Sequence, residues 1–163
     1  MDIKLIQKDF RELSAVERQQ IENEHAHLEQ FLWELHEACC EFDSLKECHG
    51  CDKEKFASCQ GRLISFEYVF IDFVIRHFEN EEKIMSEICY TQDAKEFFHL
   101  HVQEHEKLLL EMESLMHKLS VESEQGFTAG AIRELYYRVA ELFGKHAATF
   151  DNLLMNHPES VKK

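Results

Sequence analysis

Seven side chains that commonly bind metal ions recur at spacings that would place them inside a helical bundle. They are five histidines and two carboxylates, His25, His77, Glu81, His101, His105, His146 and Asp151. A buried imidazole or carboxylate without a partner costs several kcal/mol, so these groups must bind one another or a common ligand. Seven donors are too many for one ion, and they suit two metal ions that share bridging carboxylates.

The spacing within the pairs explains why one site could collect these donors. His77 and Glu81 are four residues apart, as are His101 and His105. Residues four apart lie one turn above each other on one helix face, so each pair can reach one site. The last pair, His146 and Asp151, is five residues apart. We expect both side chains to point toward the bundle axis.

Four stretches of helical periodicity would position these side chains. A single Pro, five Gly and 44% hydrophobic residues favour an all-α domain. The predicted helices cover residues 14–42, 61–89, 93–122 and 128–156. Ser14 and Glu17 form a capping-box pattern at the first helix, and Pro158 ends the last. Short links between the helices predict an antiparallel up-down-up-down four-helix bundle.

The organisation around the bundle is simple. We expect an N-terminal arm over residues 1–13, one domain over 14–156 with an inserted Cys-rich segment at 43–60, and a tail over 157–163. A net charge of −14 disfavours nucleic acid and membrane surfaces as partners. The chain shows no apolar stretch of the length that a membrane span needs, so we expect a cytoplasmic protein.

Four short runs that contain the seven residues follow the order and local spacing of a known family. The runs are IENEH at 21–25, HFENEEKIM at 77–85, HVQEH at 101–105 and HAATFD at 146–151. One HxxxH pair is weak evidence, whereas four ordered motifs on four predicted helices are specific. Over residues 14–156 the chain therefore resembles the hemerythrins and bacteriohemerythrins.

The resemblance implies a non-haem di-iron centre with a bridging oxo or hydroxo group. It implies one iron bound by His101, His105 and His146, a second bound by His25 and His77, and bridges from Glu81 and Asp151. The second iron would keep an open position for dioxygen. An imidazole-rich site with few carboxylates stabilises highly oxidised iron less well, which favours reversible binding over cleavage of the O–O bond.

A ferritin-like site is the main alternative metal centre. Its ExxH pattern occurs at Glu22 to His25, at Glu24 to His27 and at Glu96 to His99. His99 is two residues from His101 and therefore points to roughly the opposite side of its helix. Without His99, the ferritin-like set lacks its second ExxH helix.

The cysteines of the inserted segment form a second candidate site. Cys48 and Cys51 make a CxxC pattern, Cys59 follows, and Cys40 lies just before the segment. A zinc site, a redox switch and plain reduced thiols all fit this pattern. Compact hemerythrins have a shorter connection here, so the segment is where the chain departs from that family.

The leading functional hypothesis is reversible binding of dioxygen or a related small ligand, by a carrier, a store or an oxygen or redox sensor. A sensor would need a protein partner. The alternatives are a di-iron enzyme that reduces peroxide or nitric oxide, and a metal-storing or structural bundle. An enzyme would need a general acid or thiol beside the open iron position, and the sequence assigns none.

Overall fold

Four long helices pack against one another in the computed structural model. The structure describes residues 10–39, 48–125 and 128–155, without the side chains at 49 and 123. The helices are α1 (Ala15–Glu37), α2 (Lys53–Ile88), α3 (Gln92–Glu124) and α4 (Thr128–His146). A π-helical turn (Ala147–Asp151) and the short α5 (Asn152–Met155) follow α4. Within the described residues, extended pairing is limited to one bridge between Phe10 and Cys89. The predicted all-helical class is confirmed.

The start of α1 follows the predicted capping box. The Ser14 hydroxyl accepts the amide N–H of Glu17, and the Glu17 carboxylate accepts the amide N–H of Ser14. The Arg11 guanidinium lies 2.7 Å from Glu17, and its hydrogen bonds lower the pKa of that carboxyl to about 2. The helix ends at Glu37, five residues before the expected end, where the Ala38 amide closes the last turn on the Leu35 carbonyl.

The second helix begins eight residues earlier than the sequence pattern predicted. Asp52 caps it, because its carboxylate accepts the amide N–H of Lys55 at 2.8 Å. Cys59 is buried four residues before Leu63 and so extends the apolar stripe backward by one turn. The second half of the expected insert is therefore helical, while residues 43–47 of that insert lie outside the described residues.

Two apolar clusters form the core, one on each side of the seven predicted ligands. One cluster contains Leu28, Phe78, Leu108 and Leu142, and the other contains Ile21, Ile84, Phe97 and Leu154. α1, α2 and α3 contribute to both clusters, whereas α4 contributes to the first and the segment that follows it adds Leu154 to the second. The predicted ligands lie near the junction of the two clusters. Each fully buried Leu or Phe stabilises the fold by about 1.5–3 kcal/mol, which offsets the burial of the polar layer. No helix among the described residues is long and apolar enough to cross a membrane.

One carboxyl outside that layer is expected to make stability depend on pH. Burial raises the pKa of Glu67 to about 7, above its ordinary value in the unfolded chain. The native state then holds a proton that the unfolded state has lost, so the free energy of unfolding falls as pH rises from 4.5 to 7. Glu67→Gln should therefore raise the free energy of unfolding at pH 8 by about 1 kcal/mol, after allowance for solvent screening of a half-exposed group.

The measurement is urea unfolding of Glu67→Gln and wild type at pH 8 and at pH 4. At pH 4 the two should agree, because the native carboxyl is protonated there. Glu87→Gln, on the exposed face of the same helix, serves as the control. A gain of equal size at both pH values would contradict the assignment.

Candidate metal centre

The structure brings all seven predicted ligands to one layer between the two apolar clusters. Six are buried, and the His25 side chain is 30% exposed. The ligand atoms form two sets, and within each set they all lie within 4.8 Å of one another. One set contains Glu81, His101, His105 and His146, and the other contains His25, His77 and Glu81, so Glu81 belongs to both. The predicted side chains therefore converge, whereas their binding of iron stays a prediction.

The first set is built around three imidazole nitrogens. The Nε2 atom of His146 lies 3.1 Å from Nε2 of His101 and 3.2 Å from Nε2 of His105. Two nitrogen ligands at right angles, each about 2.1 Å from one metal ion, would be about 3.0 Å apart. The three atoms are thus spaced as ligands of a single ion.

The second set contains two imidazoles from different helices. Nε2 of His25 lies 3.6 Å from Oε1 of Glu81, and Nε2 of His77 lies 3.8 Å from the same oxygen. Asp151 is also close, with Oδ2 3.3 Å from Nε2 of His25. This set has one imidazole fewer than the first.

Both carboxylates span the two sets. Oε1 of Glu81 faces the second set, while its Oε2 lies 3.4 Å from Nε2 of His105 in the first. Oδ2 of Asp151 faces His25, while its Oδ1 lies 3.1 Å from Nε2 of His146. One oxygen of each carboxylate thus points to each set, which is the arrangement required of a bridging ligand.

Several of these buried atoms lack an ordinary partner. Among the described residues, no hydrogen bond reaches Nε2 of His77, either oxygen of Glu81 or Oδ1 of Asp151. Orphaned polar atoms of this kind are costly in an apolar core unless they coordinate something. The donor set therefore fits metal ions, which would engage all of these atoms at once.

The position of Asp151 depends on the π-helical turn. In an α-helix, residues five apart are separated by about 140° around the axis, so His146 and Asp151 would diverge. The Asn152 amide instead bonds the Ala147 carbonyl five residues back, which widens the turn. The wider turn places residues five apart almost above each other, and this lets Asp151 reach His146.

The carboxylates control the protonation of two imidazoles. Burial alone would lower the pKa of His25, but the nearby Asp151 and Glu81 carboxylates outweigh this effect and raise the pKa to about 10. The same balance raises the pKa of His146 to about 9. Burial raises the pKa of each carboxyl, but the imidazoles reverse this effect and hold both pKa values below the ordinary range. Burial, reinforced by His105, lowers the pKa of His101 to about 3.

Two further carboxylates accept hydrogen bonds from the Nδ1 atoms of two imidazoles, on the side of each ring that faces away from the site. His77 Nδ1 donates to Glu24 Oε2 at 2.9 Å, and His105 Nδ1 donates to Glu82 Oε1 at 2.8 Å. Asn80 Nδ2 donates to the other Glu24 oxygen at 2.7 Å. Such bonds leave Nε2 unprotonated and directed at the site. The sequence pattern indicates Glu24 only as part of an ExxH pair, although Glu24 and Glu82 each adjoin a predicted ligand.

Aromatic rings fix the imidazoles on their remaining faces. The Phe78 ring stacks on His105 with centroids 3.8 Å apart, and the Phe150 ring stacks on His101 at 4.8 Å. Both stacked pairs have interplanar angles of 7°. The packing limits rotation of the imidazoles, so the donor atoms are held in place before any ion binds.

Removing the side chain of Glu24 and removing that of Glu82 should each lower the metal affinity of one ligand set more than that of the other. Glu24→Ala releases His77 and should lower the affinity of the set with His25, while Glu82→Ala should act on the set with His146. Loss of such an outer partner typically costs about 10–100-fold in metal affinity. Titration with Co²⁺ followed by visible absorption resolves the two sites, with exposed Glu79→Ala as the control. Equal weakening of both sites by both variants would contradict this division.

The alternative metal ligands that the structure describes lie outside the two ligand sets. His27 and His99 are exposed and lie outside both ligand sets, and for His99 this agrees with the prediction from its helical phase. No set of three ligand atoms found there includes a cysteine. Cys48 Sγ accepts the Ala129 amide N–H at 3.3 Å, and the Arg62 guanidinium lies 3.5 Å from Cys59 Sγ. Cys40 lies outside the described residues, so the zinc and redox interpretations stay predictions.

The site thus combines two imidazole sets, two shared carboxylates and buried atoms that need a ligand. Imidazole together with carboxylate is a donor set for first-row transition metals. Comparisons with protein-family models, with curated proteins and with solved structures found no match to this chain.

Proposed function

We propose that the site holds two iron ions and that the protein reversibly binds dioxygen or a related small ligand on the ion held by His25 and His77. A hemerythrin-like centre is the arrangement that this proposal implies. The observation that carries it is the unequal division of imidazoles between two sets that share Glu81 and Asp151. A ferrous pair supplies the electrons that dioxygen binding requires.

A cavity next to the smaller set supports this choice of ion. It lies between α1 and α4, has a volume of about 270 Å³ and reaches His25 and Asp151. Most of its lining is apolar, with Leu28 and Leu32 from α1 and Phe143 from α4. A small, uncharged ligand fits such a space, and the apolar side chains keep water away from it.

The residues around the cavity have distinct roles in this proposal. His25 and His77 would hold the ion beside the cavity, and Glu24 fixes the orientation of His77. Leu28 and Leu32 exclude water, which would otherwise supply protons and promote irreversible oxidation. His101 and His105 would hold the second ion away from the cavity, behind Phe78.

The proposal also includes an antiparallel arrangement of the four helices. The order of the two core clusters along the chain supports it. Going from N- to C-terminus, α1 and α3 run from the cluster of Ile21 to the cluster of Leu28. α2 runs the other way, as does α4 together with the α5 segment that continues it. Short connections after α2 and α3 agree with neighbours of opposite direction.

Iron content and oxygen cycling test the proposal. Protein reconstituted with Fe²⁺ without oxygen should contain about two iron ions per chain. Exposure to dioxygen should change the visible absorption, and removal of dioxygen should restore the initial spectrum over several cycles. Less than about one iron per chain would refute the paired centre, whereas irreversible oxidation with turnover of peroxide would favour an enzyme.

Narrowing the cavity should slow ligand binding without loss of iron. Leu32→Phe adds volume to the wall beside His25, and we expect the association rate of dioxygen to fall about tenfold. Stopped-flow absorption of the reduced protein measures this rate. Leu115→Phe makes the same change at a partly buried position outside the cavity and should leave the rate unaltered. Equal slowing in both variants would rule out the cavity as the route.

A further inference from the structure

A second apolar stripe lies on the outer face of α2. Ile64 is 52% exposed, Tyr68 is 79% exposed and Ile75 is 37% exposed, and the partly buried Ile71 continues the series between them. These positions recur every three or four residues, so they share one helix face over about three turns. Scattered apolar side chains are normal on a surface, whereas an aligned group of this kind is typical of an interaction site.

The stripe forms one wall of a groove between α2 and α3. The groove has a volume of about 610 Å³, and α3 contributes Glu113, Met116 and Ser120. Met116 is buried beneath the opening and belongs to the apolar core. Methionine adapts its shape to different partners, which suits the floor of a binding groove.

An acidic group lies inside this apolar groove. Oε1 of Glu67 is buried and has no hydrogen-bond partner among the described residues. Asp72 and Glu113 also line the groove, and Arg76 pairs with Asp72 on the outer side of α2. A half-buried carboxylate without a partner is best stabilised by a cation brought against it.

We propose that this groove binds a basic amphipathic helix of a partner protein. Apolar side chains of that helix would cover Ile64, Tyr68 and Ile75, and a lysine or arginine would bond the Glu67 carboxylate. This is the helix-in-groove mode of recognition, with anchors repeated every three or four residues. The inference does not depend on which ligand the metal centre binds.

Charge favours a basic helix over a second copy of the same chain as the occupant of the groove. A two-fold contact through the groove would place Glu67 and Glu113 of one copy near the same two acids of the other. The chain as a whole has a net charge of −14. Such an interface would add like-charge repulsion to each apolar contact, whereas a basic helix replaces it with attraction.

The residues that line the groove are close in sequence to two of the predicted metal ligands. Ile75 precedes His77 by two residues on α2, so one rigid helix carries both a wall of the groove and two predicted ligands. A helix docked in the groove would therefore contact the element that positions His77 and Glu81.

Binding of designed peptides to the full chain tests the inference. The probe is an 18-residue, fluorescein-labelled helix of leucine and lysine with leucines at helical spacing, and its counterpart has glutamate in place of lysine. The lysine peptide should raise the fluorescence anisotropy on binding, and the glutamate peptide should not. Glu67→Gln and the double variant Ile64→Ser/Tyr68→Ser should each weaken binding by about tenfold or more.

Matched variants elsewhere distinguish the groove from general acidic attraction. Glu87→Gln removes a charge from an exposed site on the same helix, and Val16→Ser/Tyr137→Ser removes two exposed apolar side chains outside the groove. Both should bind as wild type does, and circular dichroism verifies the fold of every variant. The inference is overturned if controls and groove variants weaken binding equally, or if the lysine peptide does not bind. It is also overturned if sedimentation shows wild-type dimers that Ile64→Ser/Tyr68→Ser converts to monomers.

Discussion

Replacing Glu81 with alanine should reduce the metal content from about two ions per chain to at most one. The Glu81 side chain is fully buried, and its two oxygens face different imidazole sets. Alanine would remove a ligand from both sets at once. The loss of affinity should exceed the roughly 10–100-fold that an outer partner contributes, because a direct ligand is lost.

Metal analysis after desalting measures this result, and Co²⁺ absorption identifies the set that survives. The three-imidazole set keeps His101, His105 and His146 in the variant, so a single remaining ion should be found there. Glu79→Ala, two residues away on the exposed face of α2, is the control and should retain both ions. A Glu81→Ala protein that still holds two ions would show that Glu81 does not bridge them.

Metal binding should raise the melting temperature by about 8–16 °C when free metal exceeds its dissociation constant about a thousandfold. At that ratio, binding adds about 4 kcal/mol to the free energy of unfolding. Bound ions would engage atoms that are orphaned within the described residues, so we expect native-state stability and metal affinity to be linked. Thermal unfolding with and without Fe²⁺ under anaerobic conditions measures the shift.

The size of this shift should increase with pH. The raised pKa values of His25, about 10, and His146, about 9, mean that protons compete with the metal for these imidazoles. Without metal, the ion pairs of these histidines with Asp151 and Glu81 contribute stability below pH 6.5, which is lost as pH rises through 9 and 10. Affinity for metal changes in the opposite direction, because fewer protons must be displaced at higher pH.

We therefore expect a larger shift in melting temperature at pH 8.5 than at pH 6.5, with release of protons on metal addition. Unbuffered titration with a pH electrode detects these protons directly. His99→Ala alters an exposed histidine outside the ligand sets and should change neither result. A shift that is equal at both pH values would refute the competition between protons and metal.

The sequence predicted the convergence of the ligands because regular helices fix the positions that matter. His101 and His105 lie one turn apart in any α-helix, and the apolar residues on either side require that face to be buried. The prediction of helix bounds was less accurate where the periodicity is weak. Asp52 is a favourable N-cap residue, but the residues after it are mostly polar and show no apolar periodicity, so the sequence pattern did not indicate the early start of α2.

The position of Asp151 and the outer carboxylates needed three-dimensional information. A spacing of five places Asp151 beside His146 only in a π-helical turn, and helical periodicity does not encode that widened turn. Glu24 and Glu82 reach their imidazoles across the gap between neighbouring helices. Such distances depend on how helices approach each other, so counting along one helix does not supply them.

The polar layer between two apolar clusters has a consequence for local opening of the structure. α1, α2 and α3 cross this layer and α4 ends in it at His146, so ions bound there would link all four helices at the same level of the bundle. In the metal-loaded protein, the backbone amides near residues 77–81 and 101–105 would then exchange with deuterium only when both clusters unfold together. Without such a tie, each cluster could open separately, and the one cooperative unit would become two.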